Sequence, residues 1–188
     1  IGDTPVARVT RQGVFPIKEN YKPRRKDRNV KIVPTFDDRV AMLYYYPGMK
    51  PDMLNSIIDN GYKGVVWVGT GLGHINKEMY PAVERAKAEG VHQFMTLQTL
   101  WGYVDMFVYD TGRDMMAKGI IPCGNMLPEV AYIKLGWAMG QTQDPEEVKR
   151  LMLTPINDEI TEREPYNGYL VYQGGSPEVE EFIRKVHK

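Results

Sequence analysis

From Asp38 onward the chain alternates short apolar runs with helical patterns. Arg39-Val40-Ala41-Met42-Leu43-Tyr44-Tyr45-Tyr46 is an apolar run closed by Pro47-Gly48, which reads as a buried strand and a turn. Pro51 then stands at a first helical turn, with Met53, Leu54, Ile57 and Ile58 spaced along one helix face and Gly61 ending it. Gly64-Val65-Val66-Trp67-Val68 predicts a second buried strand, followed by a helix from about Lys77 to Lys87 that Gly90 closes. Val91 to Met95 is a third strand, and a short helix over Gly112 to Lys118 ends at Gly119, before Ile120-Ile121-Pro122. Leu127 to Met139 is the most apolar helix, and Asp144 caps a last one through Leu153. Strands alternating with helices at this spacing build β-α-β units. The expected fold is therefore α/β, a small parallel sheet of about four strands with helices on both faces.

The two ends of the chain read differently. Residues 1–36 look like a connector, in which Val6-Ala7-Arg8-Val9 alternates as a short strand would. Ile1-Gly2-Asp3-Thr4-Pro5 reads as a continuation, so the chain is expected to be a piece of something longer. The basic run Lys22-Pro23-Arg24-Arg25-Lys26-Asp27-Arg28 could touch phosphates, but no interleaved aromatics mark a nucleic-acid platform, and a solvated linker is preferred. The α/β domain is expected over residues 37–156. Residues 157–188 form a tail with Tyr166, Tyr169 and Tyr172 and a last short helix opened by Ser176-Pro177-Glu178.

Composition narrows the function classes. Of 188 residues, 43% are hydrophobic and 26% charged, the balance of a globular chain and not of a disordered one. The 24 basic and 24 acidic side chains cancel, so no global charge calls for a nucleic-acid partner. Cys123 is the single cysteine, which excludes an intrachain disulfide and a multi-cysteine metal site and favours a reducing compartment. No apolar run approaches the roughly 18 residues of a membrane span, so no membrane is expected and the cytoplasm is the expected location.

Sites in open α/β sheets lie where strand carboxyl ends meet the next helix. The loop richest in candidates is Gly69-Thr70-Gly71-Leu72-Gly73-His74, after the second strand. Its glycines permit a sharp bend and close approach to another backbone or a ligand. It is not a dinucleotide fingerprint, since His74 stands where the last glycine belongs, and no lysine suits a phosphate loop. His74 is either an acid/base or ligand group or, more blandly, a hydrogen-bonded loop residue. His92 sits in a strand and His187 in the tail, so neither makes an evident metal or triad partner. Asp105 and Tyr109 would share a helix face, but Gly102 points to an excursion loop. Glu129 and Lys134 open the apolar helix, and their bland reading is a first-turn charge and a surface lysine.

These segments, in this order, resemble the C-terminal domain of the asparaginase/glutaminase-type amidohydrolases, and within that family the archaeal glutamyl-tRNA(Gln) amidotransferase D subunits. The carrying residues are Tyr46-Pro47-Gly48-Met49, Lys63-Gly64-Val65-Val66, Gly69 to His74, Val108-Tyr109-Asp110-Thr111-Gly112-Arg113 and Gly119-Ile120-Ile121-Pro122, together with Met126-Leu127-Pro128-Glu129-Val130-Ala131, Lys134 and Leu153-Thr154. Asp3 to Val9 resembles the segment that leaves the family's larger N-terminal domain. Leu97, Thr99 and Gly124-Asn125 depart from the usual pattern.

The resemblance implies Rossmann/flavodoxin-like layers and a division of labour. The nucleophilic threonines, an aspartate and a lysine belong to the N-terminal domain, and their motifs are absent here. No catalytic residue is therefore expected in this chain, which alone should be inactive. The C-terminal domain closes the site and holds the amino-acid end of the substrate, with His74, Asp105 and Tyr109 as the implied contacts beside the Gly69, Thr70, Gly71 and Gly73 backbone. The implied function is the ammonia-releasing part of a tRNA-dependent amidotransferase that converts Glu-tRNA(Gln) to Gln-tRNA(Gln). Its implied partners are an N-terminal asparaginase-like domain, a homodimer mate, a tRNA-binding partner subunit and glutamine or asparagine. ATP and Mg would be used by that partner subunit, with no cofactor or metal held here. The alternatives are the C-terminal half of a free-standing L-asparaginase and a non-catalytic dimerisation module.

Overall fold

The computed structural model describes residues 6–16, 24, 27, 29, 31–100 and 102–162. They fall in two compact units. One carries the antiparallel hairpin of β1 (Ala7–Thr10) and β2 (Gly13–Pro16), in which Val9 faces Val14. The other begins at Pro34 and holds the rest of the described secondary structure. The helix expected after Ser176 and the tail tyrosines lie outside the described residues.

The larger unit contains a sheet of β3 (Val40–Tyr44), β4 (Gly64–Gly69), β5 (His92–Leu97) and β6 (Ile120–Pro122). The strands pair in chain order, every neighbour parallel, with Val40, Gly64 and His92 in register. Between them run α1 (Asp52–Asp59), α2 (Tyr80–Ala88, entered through a 3-10 turn over Lys77–Met79) and α3 (Asp110–Ala117). After β6 come α4 (Pro128–Gln141) and α5 (Pro145–Leu153), and the Asp144 carboxylate caps α5 by accepting the Glu146 N–H at 3.1 Å. The expected parallel α/β sheet is what forms.

Right-handed crossovers between strands laid in order deliver each helix to the same face. Leu54, Ile58, Val83, Ala86 and Met115, from α1 to α3, accordingly share one core with Val65, Trp67 and Met95. The opposite face is left to α4 and α5, whose Ala131, Leu135, Ala138, Val148 and Met152 pack on Val40, Val66 and Phe94. Covered on both sides, β4 is buried at all six positions, which explains its unbroken apolar run. The buried Gln93 side chain bridges two polar groups inside this core. Its Oε1 accepts from Trp67 Nε1 at 3.2 Å and its Nε2 donates to the Val83 carbonyl at 3.0 Å.

Two expectations are corrected. The run Arg39 to Tyr46 is an edge strand and not a fully buried one, because among the described residues chain-order pairing leaves β3 without an outer neighbour. Leu43 and Tyr45 are buried while Met42, Tyr44 and Tyr46 are exposed, an alternation hidden by the uniform apolarity of the run. Glu129 is the exposed first-turn charge that the pattern suggests, but Lys134 is not a surface lysine. It lies among Ala131, Leu135 and Ala138 on the buried side of α4, only 6% exposed, with Nζ 2.5 Å from Glu159 Oε1. Cys123, just beyond β6, is also enclosed, and burial pushes its thiol up to about 12, Lys134 partly opposing.

The approach to β3 is moulded onto α4. The Asp37 N–H donates to the Gly136 carbonyl at 2.9 Å, and Gln141 Nε2 donates to the Thr35 carbonyl at 3.0 Å. A Cβ on Gly140 would stand 2.6 Å from both the Phe36 nitrogen and the Thr35 oxygen. Since a backbone cannot swing aside as a side chain can, Gly140→Ala should destabilise the chain by about 1–3 kcal/mol. That loss outweighs the helix-propensity gain of about 1 kcal/mol that alanine ordinarily brings. Urea titration of the two proteins measures the difference, and a more stable variant would contradict the packing.

Candidate functional site

At the carboxyl end of β4 the chain makes a closed turn. Thr70 N–H donates to the His74 carbonyl at 3.1 Å, His74 N–H returns to the Thr70 carbonyl at 2.9 Å, and Gly73 N–H reaches the same oxygen at 3.0 Å. Gly71 and Gly73 have φ of 55° and 96°. Both sit in the left-handed region that suits glycine, but they differ in their surroundings. Nothing lies within 4 Å of a Cβ built on Gly71, whereas one on Gly73 would meet Val104 Cγ1 at 2.8 Å. The expected close approach therefore holds at Gly73 and fails at Gly71, which is open to ligand or solvent.

Val104 belongs to the excursion that Gly102 predicted, an irregular loop over residues 102–109 between β5 and α3. Two backbone bonds fix it. Asp105 N–H donates to the Leu72 carbonyl at 3.1 Å, and Val104 N–H donates to the Gly124 carbonyl at 2.9 Å. Arg113 of α3 donates to the Phe107 carbonyl at 2.6 Å and holds the far side. Met106 is fully buried, while Phe107, Val108 and Tyr109 stand 67%, 51% and 55% exposed.

The two loops bring the sequence-derived residues together. The His74 and Tyr109 rings meet edge to face with centroids 5.5 Å apart. Asp105 stands in the same loop as Tyr109, its Oδ1 accepting the Phe107 N–H at 3.2 Å. His74 departs from the hydrogen-bonded loop residue of the bland reading. Its Nε2 is buried with no hydrogen-bond partner among the described residues, and desolvation pushes its pKa below the ordinary histidine value. The imidazole is therefore neutral at pH 7, with Nε2 enclosed. His92 lies at the amino end of β5, far along the strand from this turn.

Several residues of this region were not singled out from the sequence. Gln98 ties the carboxyl ends of β3 and β4 by donating Nε2 to the Tyr45 and Val68 carbonyls. Tyr103 donates its hydroxyl to the Glu162 carbonyl at 3.0 Å and lies at 3.1 Å from that of Thr161. Between Asp105, Phe107 and this last segment lies a cavity of about 560 Å³, whose walls include Leu153 and Ile160. Lys134 carried a readable signal, a cation at helical spacing from the apolar Ala131 and Ala138. Its partner Glu159 carried none.

Among the described residues, no group of three or more His, Cys, Asp and Glu side chains could hold a metal ion, and no helix is long and apolar enough to cross a membrane.

Two cross-bonded loops at the carboxyl ends of neighbouring parallel strands, one bearing His74 and the other Asp105, close one end of an α/β domain. Residues 39–152 match the glutaminase/asparaginase C-terminal domain, and the chain belongs to that family. It is 45% identical over 170 residues to the D subunit of the glutamyl-tRNA(Gln) amidotransferase of Thermococcus kodakarensis, covering 90% of this chain and 38% of that protein. The D subunit of Pyrococcus abyssi is 41% identical over 171 residues, again 90% of this chain and 39% of the relative. The chain thus spans under two fifths of the length of these curated relatives. Among solved structures it resembles the thermostable L-asparaginase of Thermococcus kodakarensis, with TM-score 0.73 and 32% identity over 85% of this chain and 48% of that one.

The glycine pair gives a comparative prediction. Gly71→Ala should cost about 1–2 kcal/mol from its left-handed backbone alone. Gly73→Ala should cost a further 1–3 kcal/mol, roughly, from overlap with Val104. Equal urea midpoints for the two variants would show that the loops do not press on each other at Gly73.

The Lys134–Glu159 pair gives a pH prediction. Burial works to raise the Glu159 pKa, but hydrogen bonds from Lys134 and from the Ile156 and Asn157 N–H groups outweigh it and bring it down to about 2. A carboxylate depressed on folding stabilises the native state fully above its unfolded value, about 4.3. That contribution fades as pH falls toward 2. Glu159→Gln should therefore narrow the stability gap between pH 6 and pH 3. An unchanged pH profile of thermal unfolding would remove the pair from acid sensitivity.

Proposed function

We propose that the chain is the C-terminal part of the glutamine-hydrolysing component of a tRNA-dependent amidotransferase that forms Gln-tRNA(Gln) from Glu-tRNA(Gln). The observation that carries this reading is 41–45% identity to the amidotransferase D subunits across 90% of the chain, against 32% to the L-asparaginase that shares the fold. The free-standing L-asparaginase reading has the architecture in its favour but the weaker sequence likeness.

In this reading the domain binds and orients, and the nucleophile lies elsewhere. The Asp105 carboxylate takes the substrate's α-ammonium group, a charge-assisted hydrogen bond that aligns the side-chain amide for attack. Neutral His74 lies beside the same end of the substrate, and its edge-on contact with Tyr109 limits the rotation of both rings. Loop positions Gly69, Thr70, Gly71 and Gly73 set the height of His74 and leave backbone room at Gly71. Ammonia is released at a threonine of an N-terminal domain, and a partner subunit uses it, with ATP and Mg, on the tRNA-bound glutamate. The exposed Phe107, Val108 and Tyr109 side chains suit contact with that N-terminal domain or with the mate of a homodimer.

The 188-residue chain alone should release no ammonia from glutamine or asparagine. Grafted in place of the matching C-terminal segment of the Thermococcus kodakarensis D subunit, it should support glutamine hydrolysis. In the graft, Asp105→Ala should raise KM by about ten- to a hundredfold, the loss of one hydrogen bond to a charged group, with a smaller fall in kcat. Ammonia release by the isolated chain above a heat-killed control would place the nucleophile within residues 1–188 and overturn the assignment. A graft that prefers asparagine to glutamine would favour the free-standing enzyme.

A further inference from the structure

Segment 154–162 follows α5 as a strap with tethers on three elements. On α4, Lys134 Nζ donates to the Thr154 carbonyl at 2.6 Å and pairs with Glu159 at 2.5 Å. Beyond β6, Asn125 Oδ1 accepts the Thr161 N–H at 2.9 Å. In the excursion loop, the Tyr103 hydroxyl meets the Thr161 and Glu162 carbonyls. Glu159 also shapes the strap from within, accepting the N–H groups of Ile156 at 2.9 Å and Asn157 at 2.6 Å. Between these donors and the carboxylate, Asp158 adopts φ of 61°, the only non-glycine residue at positive φ among the described residues. A strained turn of this kind persists where its surroundings over-determine it, and here they include the Glu159 carboxylate held by the buried Lys134 ammonium.

The tethers close into a ring. Lys134 fixes Glu159, Glu159 fixes the turn, and the turn delivers Thr161 to Asn125 and Glu162 to Tyr103. The Val104 N–H next to Tyr103 returns to the carbonyl of Gly124, which adjoins Asn125. Asp105 follows directly, its own N–H on the Leu72 carbonyl of the His74 turn. The cavity of about 560 Å³ between strap and loop leaves Asp105 without packed support on that side, so the ring supplies its fixed reference.

We propose that Lys134 and Glu159 are positioning residues: their buried ion pair sets the strap, and the strap, through Tyr103, sets the height of the Asp105 loop over the substrate. The proposal rests on the reading of Asp105 as the group that receives the substrate ammonium. Its structural half can be decided without that reading.

Amide hydrogen exchange of the 188-residue chain makes that decision. Glu159→Gln and Tyr103→Phe should each speed exchange at the Asp105 and Thr161 amides by about tenfold, while the Val66 amide of β4, opened only globally, keeps its rate. Tyr103→Phe removes a hydroxyl outside the core, so it carries the test even where changing the ion pair lowers stability everywhere. Fast exchange at Thr161 with an unchanged Asp105 amide in both variants would overturn the coupling, since the strap would then hold only itself. In the graft with the Thermococcus kodakarensis D subunit, Glu159→Gln should raise KM for glutamine several-fold at nearly constant kcat, and Lys134→Arg, which keeps the charge, should stay near the unsubstituted KM. A fall in kcat at constant KM would overturn substrate positioning. An inactive unsubstituted graft would count against the glutamine reading alone, because the exchange rates still decide whether the ion pair governs the loop.

Discussion

A parallel sheet whose strands pair in chain order turns all its crossover helices to one face, and whatever follows the last strand must cover the other. In this chain that obligation falls on α4, supported by α5. The helix must be apolar enough to seal Val40, Val66 and Phe94, and it must lie close enough to take the chain entering β3 along its back. Gly136 and Gly140 meet the second demand by offering bare backbone to residues 35–37. Lys134 is the exception to the first, and its charge is answered at once by Glu159.

Chain-order pairing also decides where chemistry can gather. Without a reversal of strand order, no crevice opens between connections that diverge to opposite faces. A concave end must come from loops long enough to lean on one another. The turn after β4 and the excursion after β5 do so, through Asp105 on Leu72 and Val104 against Gly73. Backbone groups, packed methyls and the edge-on rings of His74 and Tyr109 make this join. The Tyr109 side chain stays more than half exposed on the outer side of the join.

Most of the sheet and its helices could be read from the sequence because local patterns governed them. Proline and glycine punctuated α1 and α2, Asp144 marked the start of α5, and the uninterrupted apolarity of β4 announced burial on both sides. Whether an apolar run is central or at an edge depends on pairing order, which periodicity does not encode, and β3 was misjudged for that reason. The loop carrying His74 was visible from its glycines, and the excursion carrying Asp105 from Gly102. Their juxtaposition was implied by family resemblance and not by spacing, since a bond from Asp105 to Leu72 spans more than thirty residues. Lys134 was misread because lysine is ordinarily exposed, and its acid lay twenty-five residues downstream, in a stretch with no pattern of its own.

Cys123 gives the molecule a silent reporter. Burial pushes its thiol up to about 12 and encloses the sulfur, so at pH 7 it stays protonated and away from reagent. Alkylation must wait until α4 lifts from the sheet, so the rate of modification measures the frequency of that opening. Because Cys123 is the chain's single cysteine, a second thiol engineered on the outer surface would accept a fluorophore or spin label at one defined place while the native thiol stays dark.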